Sequence, residues 1–232
     1  MAKTLKALSA LLSYPTTEIK SAAGEIRRVL HEEALAPDWI LSQLDQLIRE
    51  FETQDLYELQ ERYVLLFDRT RSLSLHLFEH VHGESRDRGQ AMVDLKALYA
   101  RHGLDAAASE LPDFLPLFLE FLSCRPVEEA RALLAEPLAV IAALKERLAR
   151  RKSSYAAVFR ALEAIAAARP QQKDLDALLK APDEDADDLE ALDRAWEDAP
   201  VTFGASDASC PKAEEMLRRI TAQSPDPSDS GA

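Results

Sequence analysis

Glycine, cysteine and β-branched residues are scarce in this chain of 232 residues. It holds 6 glycines, 2 cysteines, 8 valines, 7 isoleucines and 7 threonines. Strands favour β-branched residues and their turns favour glycine, so this scarcity excludes all-β and α/β folds. Neither a dinucleotide-binding nor a P-loop glycine pattern is present, which excludes the enzymes that depend on them. The chain instead contains 38 alanines and 36 leucines, which predict an all-α fold.

Cysteine content and charge limit the compartment and the partners. Cys124 and Cys210 do not form a C-x-x-C pair and are too few for a disulfide framework or a Cys-based zinc finger. They favour a reducing compartment. The net charge of −13 argues against a nucleic-acid binder, which needs a basic surface.

The N-terminal sequence predicts an amphipathic helix. Leu5, Leu8 and Leu11 recur at helical spacing with polar residues between them, and Pro15 ends the pattern. A signal peptide has a continuous apolar core instead. Since no run approaches the roughly 20 apolar residues of a membrane span, we expect a cytoplasmic protein that does not insert into the membrane.

Prolines, glycines and capping residues mark the ends of further predicted helices. Thr16 or Thr17 caps one that runs to about His31, and Pro37 occupies the first helical position of the next. Residues 55–68 form a helix with one apolar face. Ser72 or Ser74 caps another, over residues 73–82, and Gly103 ends a helix as a left-handed cap.

Residues 111–122 are apolar on nearly every side, which predicts a buried helix at the centre of a bundle. Pro116 belongs in its first turn, because a proline deeper inside breaks a backbone hydrogen bond. Pro126 and Pro137 begin two more short helices. We predict an all-helical domain over residues 1–170.

The composition changes after Pro170. Residues 171–200 hold 11 acidic residues against 3 basic ones, a net of −8. We predict that residues 171–232 form an acidic C-terminal extension with short helices, a small basic amphipathic helix at about 212–220, and a disordered end.

The most concentrated group of chemically capable residues is His76-Leu-Phe-Glu79-His80. It matches the inverted zinc-peptidase motif H-x-x-E-H, in which histidines four apart grip one metal and a glutamate such as Glu84 completes the site. A second glutamate-bearing helix and a sheet that lines a peptide cleft are both missing, so we favour histidines that face polar neighbours. No nucleophile has a recognisable setting either, so we predict no catalytic residue, no metal and no enzyme.

Arginines are frequent between residues 62 and 101, where seven basic residues face five acidic ones. They suit an anion site for a pterin-nucleotide phosphate, or ion pairs that fix the loop between Gly83 and Gly89. Because acids alternate with the arginines, we favour the ion pairs.

Three stretches carry more large apolar residues than a narrow helix seam requires: 63–67, 73–81 and 111–122. Such helices bury one another or leave a groove for an amphipathic helix of a partner.

Several motifs resemble the delta subunit of respiratory nitrate reductase, a family of molybdenum-cofactor assembly chaperones. The run Phe-Glu-His-Val-His-Gly-Glu-Ser-Arg-Asp-Arg-Gly-Gln-Ala-Met at 78–92 is the most specific. The stretch Glu-Leu-Pro-Asp-Phe-Leu-Pro-Leu-Phe-Leu-Glu-Phe-Leu at 110–122 matches a second signature, and the amphipathic start that ends in Tyr14-Pro15 is also similar. The resemblance covers about residues 1–170.

The resemblance implies a helical bundle of the redox-enzyme-chaperone type and a dedicated chaperone without catalytic activity. Such a chaperone binds the N-terminus of the apo catalytic (alpha) subunit, which resembles a twin-arginine leader. It holds that subunit in the cytoplasm, competent for insertion of the molybdenum bis-guanine-dinucleotide cofactor, before membrane attachment. It keeps no cofactor of its own, and proteins that deliver the cofactor are further candidate partners.

We predict a peptide-binding groove from this family function and the apolar stretches. Its apolar lining is Tyr63, Phe67, Leu75, Phe78, Phe118 and Phe121. Its polar rim is Glu79, His82, Glu84, Arg86 and Glu120, whose glutamates meet basic residues of the leader. Three alternatives stay open: a zinc-dependent peptidase, a chaperone of a related molybdenum reductase, and a helical scaffold or redox sensor that uses Cys124.

Overall fold

The computed structural model describes residues 2–82, 86–104, 110–166, 168–181 and 183, except for the side chains of residues 82, 86 and 87. All regular structure in these ranges is helical, so the predicted all-α class is confirmed. The α-helices are α1 (Lys3–Leu12), α2 (Thr17–Ser21), α3 (Ala23–Glu33), α4 (Asp38–Thr53), α5 (Leu56–Tyr63), α6 (Glu79–His82), α7 (Arg86–Arg101), α8 (Leu115–Ser123), α9 (Val127–Ala135), α10 (Leu138–Arg150), α11 (Ala156–Ala166) and α12 (Gln172–Leu179).

Most helix ends follow the local signals. The side chain of Thr16 accepts a hydrogen bond from the amide of Ile19 at the start of α2. Pro126 and Pro137 directly precede α9 and α10, as predicted. Gly103 has φ +77°, the left-handed conformation expected of the residue that follows a helix.

Helix α8 packs along α1 and also contacts α9. Most of its apolar side chains are buried, which confirms that this helix is buried on most sides, and Pro116 lies in its first turn. The helix begins at Leu115 rather than at residue 111. Before it, the side chain of Asp113 is buried and accepts a hydrogen bond from the backbone amide of Phe78.

Side chains from distant helices close the helix ends. The carboxylate of Glu33, at the end of α3, accepts hydrogen bonds from the amides of Lys3 and Thr4, at 3.0 and 2.7 Å. The ammonium of Lys20 donates to three carbonyls at the end of α4, of which the closest is 2.6 Å away. These groups would otherwise have no partner within their own helix.

The predicted helix over residues 73–82 is wrong. The chain instead forms a 3₁₀ turn at Arg71–Leu73, a non-helical stretch at residues 74–78 and the short helix α6. We call residues 74–78 the extended segment, because they pair with the entry to α8 through an isolated antiparallel bridge between His76 and Phe114. The amide of Leu115 donates to the carbonyl of Leu75 at 2.8 Å, and the amide of Leu77 donates to the carbonyl of Asp113 at 3.0 Å. The backbone of the extended segment therefore pairs with the entry to α8 instead of with itself.

The predicted helix at residues 55–68 is present but changes its winding. An α-helical part, α5, is followed by a π-helical turn at Val64–Asp68. Tyr63 and Phe67, which are four residues apart, are both buried on the core side.

Helix α12 lies beyond the predicted boundary at residue 170 and packs on α10. None of its eight residues is fully buried. The remainder of the predicted acidic extension, with its basic helix at 212–220, lies outside the described residues, apart from the positions up to 183. The division at residue 170 stays a prediction.

Among the described helices, none combines the length and the apolar character that a bilayer crossing requires.

Candidate functional site

A fully buried carboxylate, Asp113, joins the extended segment to the entry of α8. Its Oδ1 lies 3.2 Å from Nδ1 of His76, and its Oδ2 accepts a hydrogen bond from the amide of Phe78 at 3.2 Å. Together with the carbonyl of Asp113, which accepts from the amide of Leu77, these contacts fix three consecutive residues of the extended segment. We call Asp113, His76, Glu79 and Arg88 the signature clamp.

Arg88 of α7 completes the signature clamp. Its Nη2 donates to Oε1 of Glu79 at 3.1 Å and lies 3.8 Å from Oδ2 of Asp113. The guanidinium therefore stands between two carboxylates, and it compensates part of the cost of burying Asp113. Of the two predicted readings for the arginine-rich region, this contact favours ion pairing that fixes local structure.

Two more side chains, His80 and Arg147, hold the backbone at the start of the extended segment and in the 3₁₀ turn before it. Nε2 of His80 lies 2.7 Å from the carbonyl of Ser74. Because a carbonyl only accepts, His80 carries a proton on Nε2 in this contact. The buried Arg147 of α10 donates through Nη1 to the carbonyl of Ser72 at 2.6 Å.

The two histidines of the motif respond oppositely to their surroundings. Burial lowers the pKa of His76, but the hydrogen bond to Asp113 and the charge of that carboxylate outweigh it, so the pKa lies above its ordinary value. Burial lowers the pKa of His80, and nearby Arg147 adds to the effect, while the bond to Ser74 opposes it.

These shifts predict opposite pH effects for His76→Gln and His80→Gln. Folded His76 holds its proton more tightly than the unfolded chain does, so its stabilising effect is complete below the ordinary pKa and disappears as the pH rises through the folded pKa. Folded His80 holds its proton less tightly, so protonation in the unfolded chain costs stability as the pH falls below the ordinary pKa.

The test is urea unfolding at several values from pH 7.5 to pH 5.5. Relative to the unmodified protein, His76→Gln should lose stability progressively as the pH falls, and His80→Gln should gain. Parallel pH profiles for all three proteins would contradict the assignment.

The three side chains of the H-x-x-E-H motif, the basis of the alternative zinc-peptidase hypothesis, do not come together as a metal site. His76 belongs to the extended segment, so only Glu79 and His80 share a helix, and each of the three side chains binds a protein group. In the part of the chain that the structure describes, no group of three or more His, Cys, Asp or Glu is placed to hold a metal ion. The zinc-peptidase hypothesis required His76 and His80 to lie on one face of a helix, and this expectation is wrong. Glu84 lies outside the described residues.

The six residues predicted to line an apolar groove are all buried in the core. They are Tyr63, Phe67, Leu75, Phe78, Phe118 and Phe121. In this conformation they pack on one another and on neighbouring helices, so they present no open groove. Their contact with a peptide stays a prediction. It requires the segments that cover these six side chains to move.

An aromatic row leads from the surface to two of these residues. The half-exposed Tyr14 stands edge-on to Tyr63, with ring centroids 5.6 Å apart, and Tyr63 packs on Phe67 at 5.0 Å. The hydroxyl of Tyr63 donates to the carbonyl of Leu12, which fixes the ring against the end of α1.

The polar rim is partly described. The side chain of Glu79 is 31% exposed and binds Arg88, while that of Glu120 is 42% exposed and lies 3.4 Å from the ammonium of Lys6. The side chains of His82 and Arg86, like Glu84, are outside the described residues. The two described glutamates are therefore accessible carboxylates, each with an intramolecular cation as its present partner.

Sequence reasoning missed the central role of Asp113 and of Arg147. One signal was available for Asp113, because a single acid at the start of an otherwise apolar stretch must find partners when it is buried. Nothing in the sequence around Arg147 indicates that its partner is the carbonyl of Ser72, which lies 75 residues away.

In the described residues, the chemically capable side chains His76, His80, Asp113 and Arg147 hold the backbone of an all-helical bundle. The chain belongs to the nitrate reductase delta subunit family, whose model matches residues 32–161. This finding confirms the resemblance seen in the signature stretches.

Named relatives agree with the family. The chain is 42% identical over 205 residues to the nitrate reductase molybdenum cofactor assembly chaperone NarJ of Escherichia coli, which covers 88% of this chain and 85% of the relative. It is 35% identical to the probable chaperone NarW of the same organism, over 86% and 83% of the two chains. The probable NarJ chaperone of Bacillus subtilis is 33% identical, over 68% and 85%. These relatives are named as assembly chaperones rather than catalysts, in agreement with the predicted non-enzyme.

Proposed function

We propose that this protein is an assembly chaperone of respiratory nitrate reductase, which holds the apo catalytic subunit competent for insertion of the molybdenum cofactor. The observation that carries the proposal is the 42% identity to a chaperone so named, over most of both chains. The client segment is the leader-like N-terminus of the catalytic subunit. The protein acts in the cytoplasm, before the client attaches to the membrane, and proteins that deliver the cofactor are further partners.

The polar part of the proposed peptide site is the pair Glu79 and Glu120. Each carboxylate is accessible and already binds a cation of this chain, Arg88 or Lys6. The Glu120–Lys6 pair is exposed, and exposed ion pairs contribute little to stability, so exchange of Lys6 for a basic residue of the peptide costs little. We therefore expect the glutamates to orient a basic leader peptide and to contribute little to its affinity.

The apolar part requires the extended segment to move. Leu75 and Phe78 become accessible only when the backbone bonds to Leu115 and Asp113 open. Opening also breaks the contacts of the buried Asp113 with His76 and Phe78, so the free energy of peptide binding must offset this cost. The apolar face of a leader helix then replaces the contacts that the core loses.

Isothermal titration with a synthetic N-terminal peptide of the catalytic subunit tests the proposal. We expect stoichiometric binding, and binding weakened up to about fivefold by Glu120→Gln, the upper end of the range for loss of an exposed charge pair. Glu58→Gln, an exposed glutamate of α5, is the matched control and should bind normally. Absence of binding by the unmodified protein, across several salt concentrations, would refute the function. The same titration with the N-terminal peptide of a related molybdenum reductase tests which enzyme is the client, because the peptide of the true client should bind more tightly.

Amide exchange tests the proposed opening. The amides of Leu77 and Leu115 both donate across the bridge between the extended segment and α8. If the peptide reaches Leu75 and Phe78, these two amides should exchange faster in the complex than in the free protein. Unchanged or slower exchange, in a complex that titration shows to be saturated, would place the peptide elsewhere.

A further inference from the structure

The C-terminal extension leaves the body of the protein at a charged contact. Oδ1 of Asp183 accepts hydrogen bonds from Nη2 of Arg151 at 2.9 Å and from the hydroxyl of Ser72 at 3.2 Å. Two backbone carbonyls shortly before Asp183 in the sequence, those of Leu178 and Ala181, accept hydrogen bonds from Arg147. The position from which residues 184–232 start is therefore fixed on the surface of α10, beside the 3₁₀ turn.

Basic residues surround this starting point. Three of them follow one another at the end of α10. Of the other two, one precedes and one begins the 3₁₀ turn that Arg147 and Asp183 hold against α10. We call this group the cationic patch. It consists of Arg69, Arg71, Arg150, Arg151 and Lys152, all exposed except the half-buried Arg151.

The chain that follows Asp183 is strongly acidic. Residues 184–198 hold eight carboxylates and a single cation, Arg194. The carboxylates are Glu184, Asp185, Asp187, Asp188, Glu190, Asp193, Glu197 and Asp198. Because the segment is tethered at Asp183, its concentration near the patch is in the millimolar range, far above that of a free anion of the same kind.

We propose that the cationic patch is the docking surface of the chain's own acidic segment, residues 184–198, which continues the contact that Asp183 makes with Arg151. Fifteen residues reach about 50 Å when extended, so the segment spans the surface from its anchor without difficulty. With the segment in place, the patch does not attract nucleic acid or anionic lipid. The interaction also holds α12, which buries none of its residues, against α10.

Zero-length carbodiimide coupling tests the proposal on the full chain, because it joins a lysine amine only to a carboxylate in direct contact. Lys145, 2.8 Å from Glu163, serves as the positive control. Lys96, which is exposed on α7, serves as the negative control. After digestion, mass spectrometry of the monomer band should find Lys152 joined to residues 184–198 at 20 mM salt, and this product should decrease at least fivefold at 0.5 M salt, where exposed charges are screened.

Charge reversal in the patch provides the second arm. Arg150→Glu should reduce the Lys152 product about fivefold, while Arg49→Glu, at an exposed arginine of α4, should leave it unchanged. The proposal is overturned if Lys152 couples to residues 184–198 no more than Lys96 does, or if Arg150→Glu leaves the yield intact. Coupling confined to the dimer band also overturns it, because the segment would then lie on a second copy.

Discussion

Replacement of Phe78 by aspartate should abolish the cooperative fold. Phe78 has 0% exposure, and its own amide is bound by the buried carboxylate of Asp113. Removal of a buried phenylalanine costs about 3–5 kcal/mol. A second, unpaired carboxylate near Asp113 costs several more, so the sum approaches the ~5–15 kcal/mol that typically stabilises a domain.

Circular dichroism during heating measures this effect. We expect no cooperative transition for Phe78→Asp, while Phe78→Leu should keep the fold and lose about 1–2 kcal/mol. Trp39→Asp is the matched control, because this large aromatic side chain is 59% exposed on α4. A Phe78→Asp protein that melts like the unmodified one, and still binds the leader peptide, would show that Phe78 faces solvent.

Replacement of Asp113 by alanine should destabilise the protein by about 3 kcal/mol or more. The change leaves the amide of Phe78 without its acceptor and leaves His76 and Arg88 without their buried carboxylate. An orphaned buried donor costs about 1–3 kcal/mol, and a broken buried ion pair about 3–5 kcal/mol. For a chain of this size, the expected fall in Tm is about 6–12 °C.

The variant Asp113→Asn separates the two contributions. Asparagine keeps an oxygen that can accept from the amide of Phe78 but removes the charge that faces His76 and Arg88, so about half of the loss should remain. The pH profile should also change, because the pKa of His76 depends on that charge. If alanine and asparagine were both neutral in urea unfolding, the signature clamp would have no part in stability.

The sequence predicted those helix ends that depend on residues close by in the chain. Thr16, Pro126 and Gly103 act on their own helix ends, so their positions alone were enough to locate them. The apolar stretch before Pro126 likewise predicted a buried helix, since a helix that is apolar on all sides must be covered.

The sequence did not predict structure that depends on contacts between residues far apart in the chain. Residues 74–78 have an acceptable helical pattern, yet their backbone bonds with residues 113–115, which lie nearly 40 positions later. The pattern of large apolar residues also indicated surfaces that must be covered, but not whether core or partner covers them. For Tyr63, Phe67 and Phe118 the core does so in this conformation.

The partners of α1 have a consequence for the order of events during synthesis. The hydroxyl of Ser9 binds the carbonyl of Pro116, and the amide of Ala2 binds the carbonyl of Ser123, so α1 completes its packing only with residues more than 100 positions later. At about 5–20 residues per second, α1 waits roughly 5–20 seconds for the residues of α8 to be made. During that time α1 can pack on α3, but the part of its apolar face that α8 covers stays open.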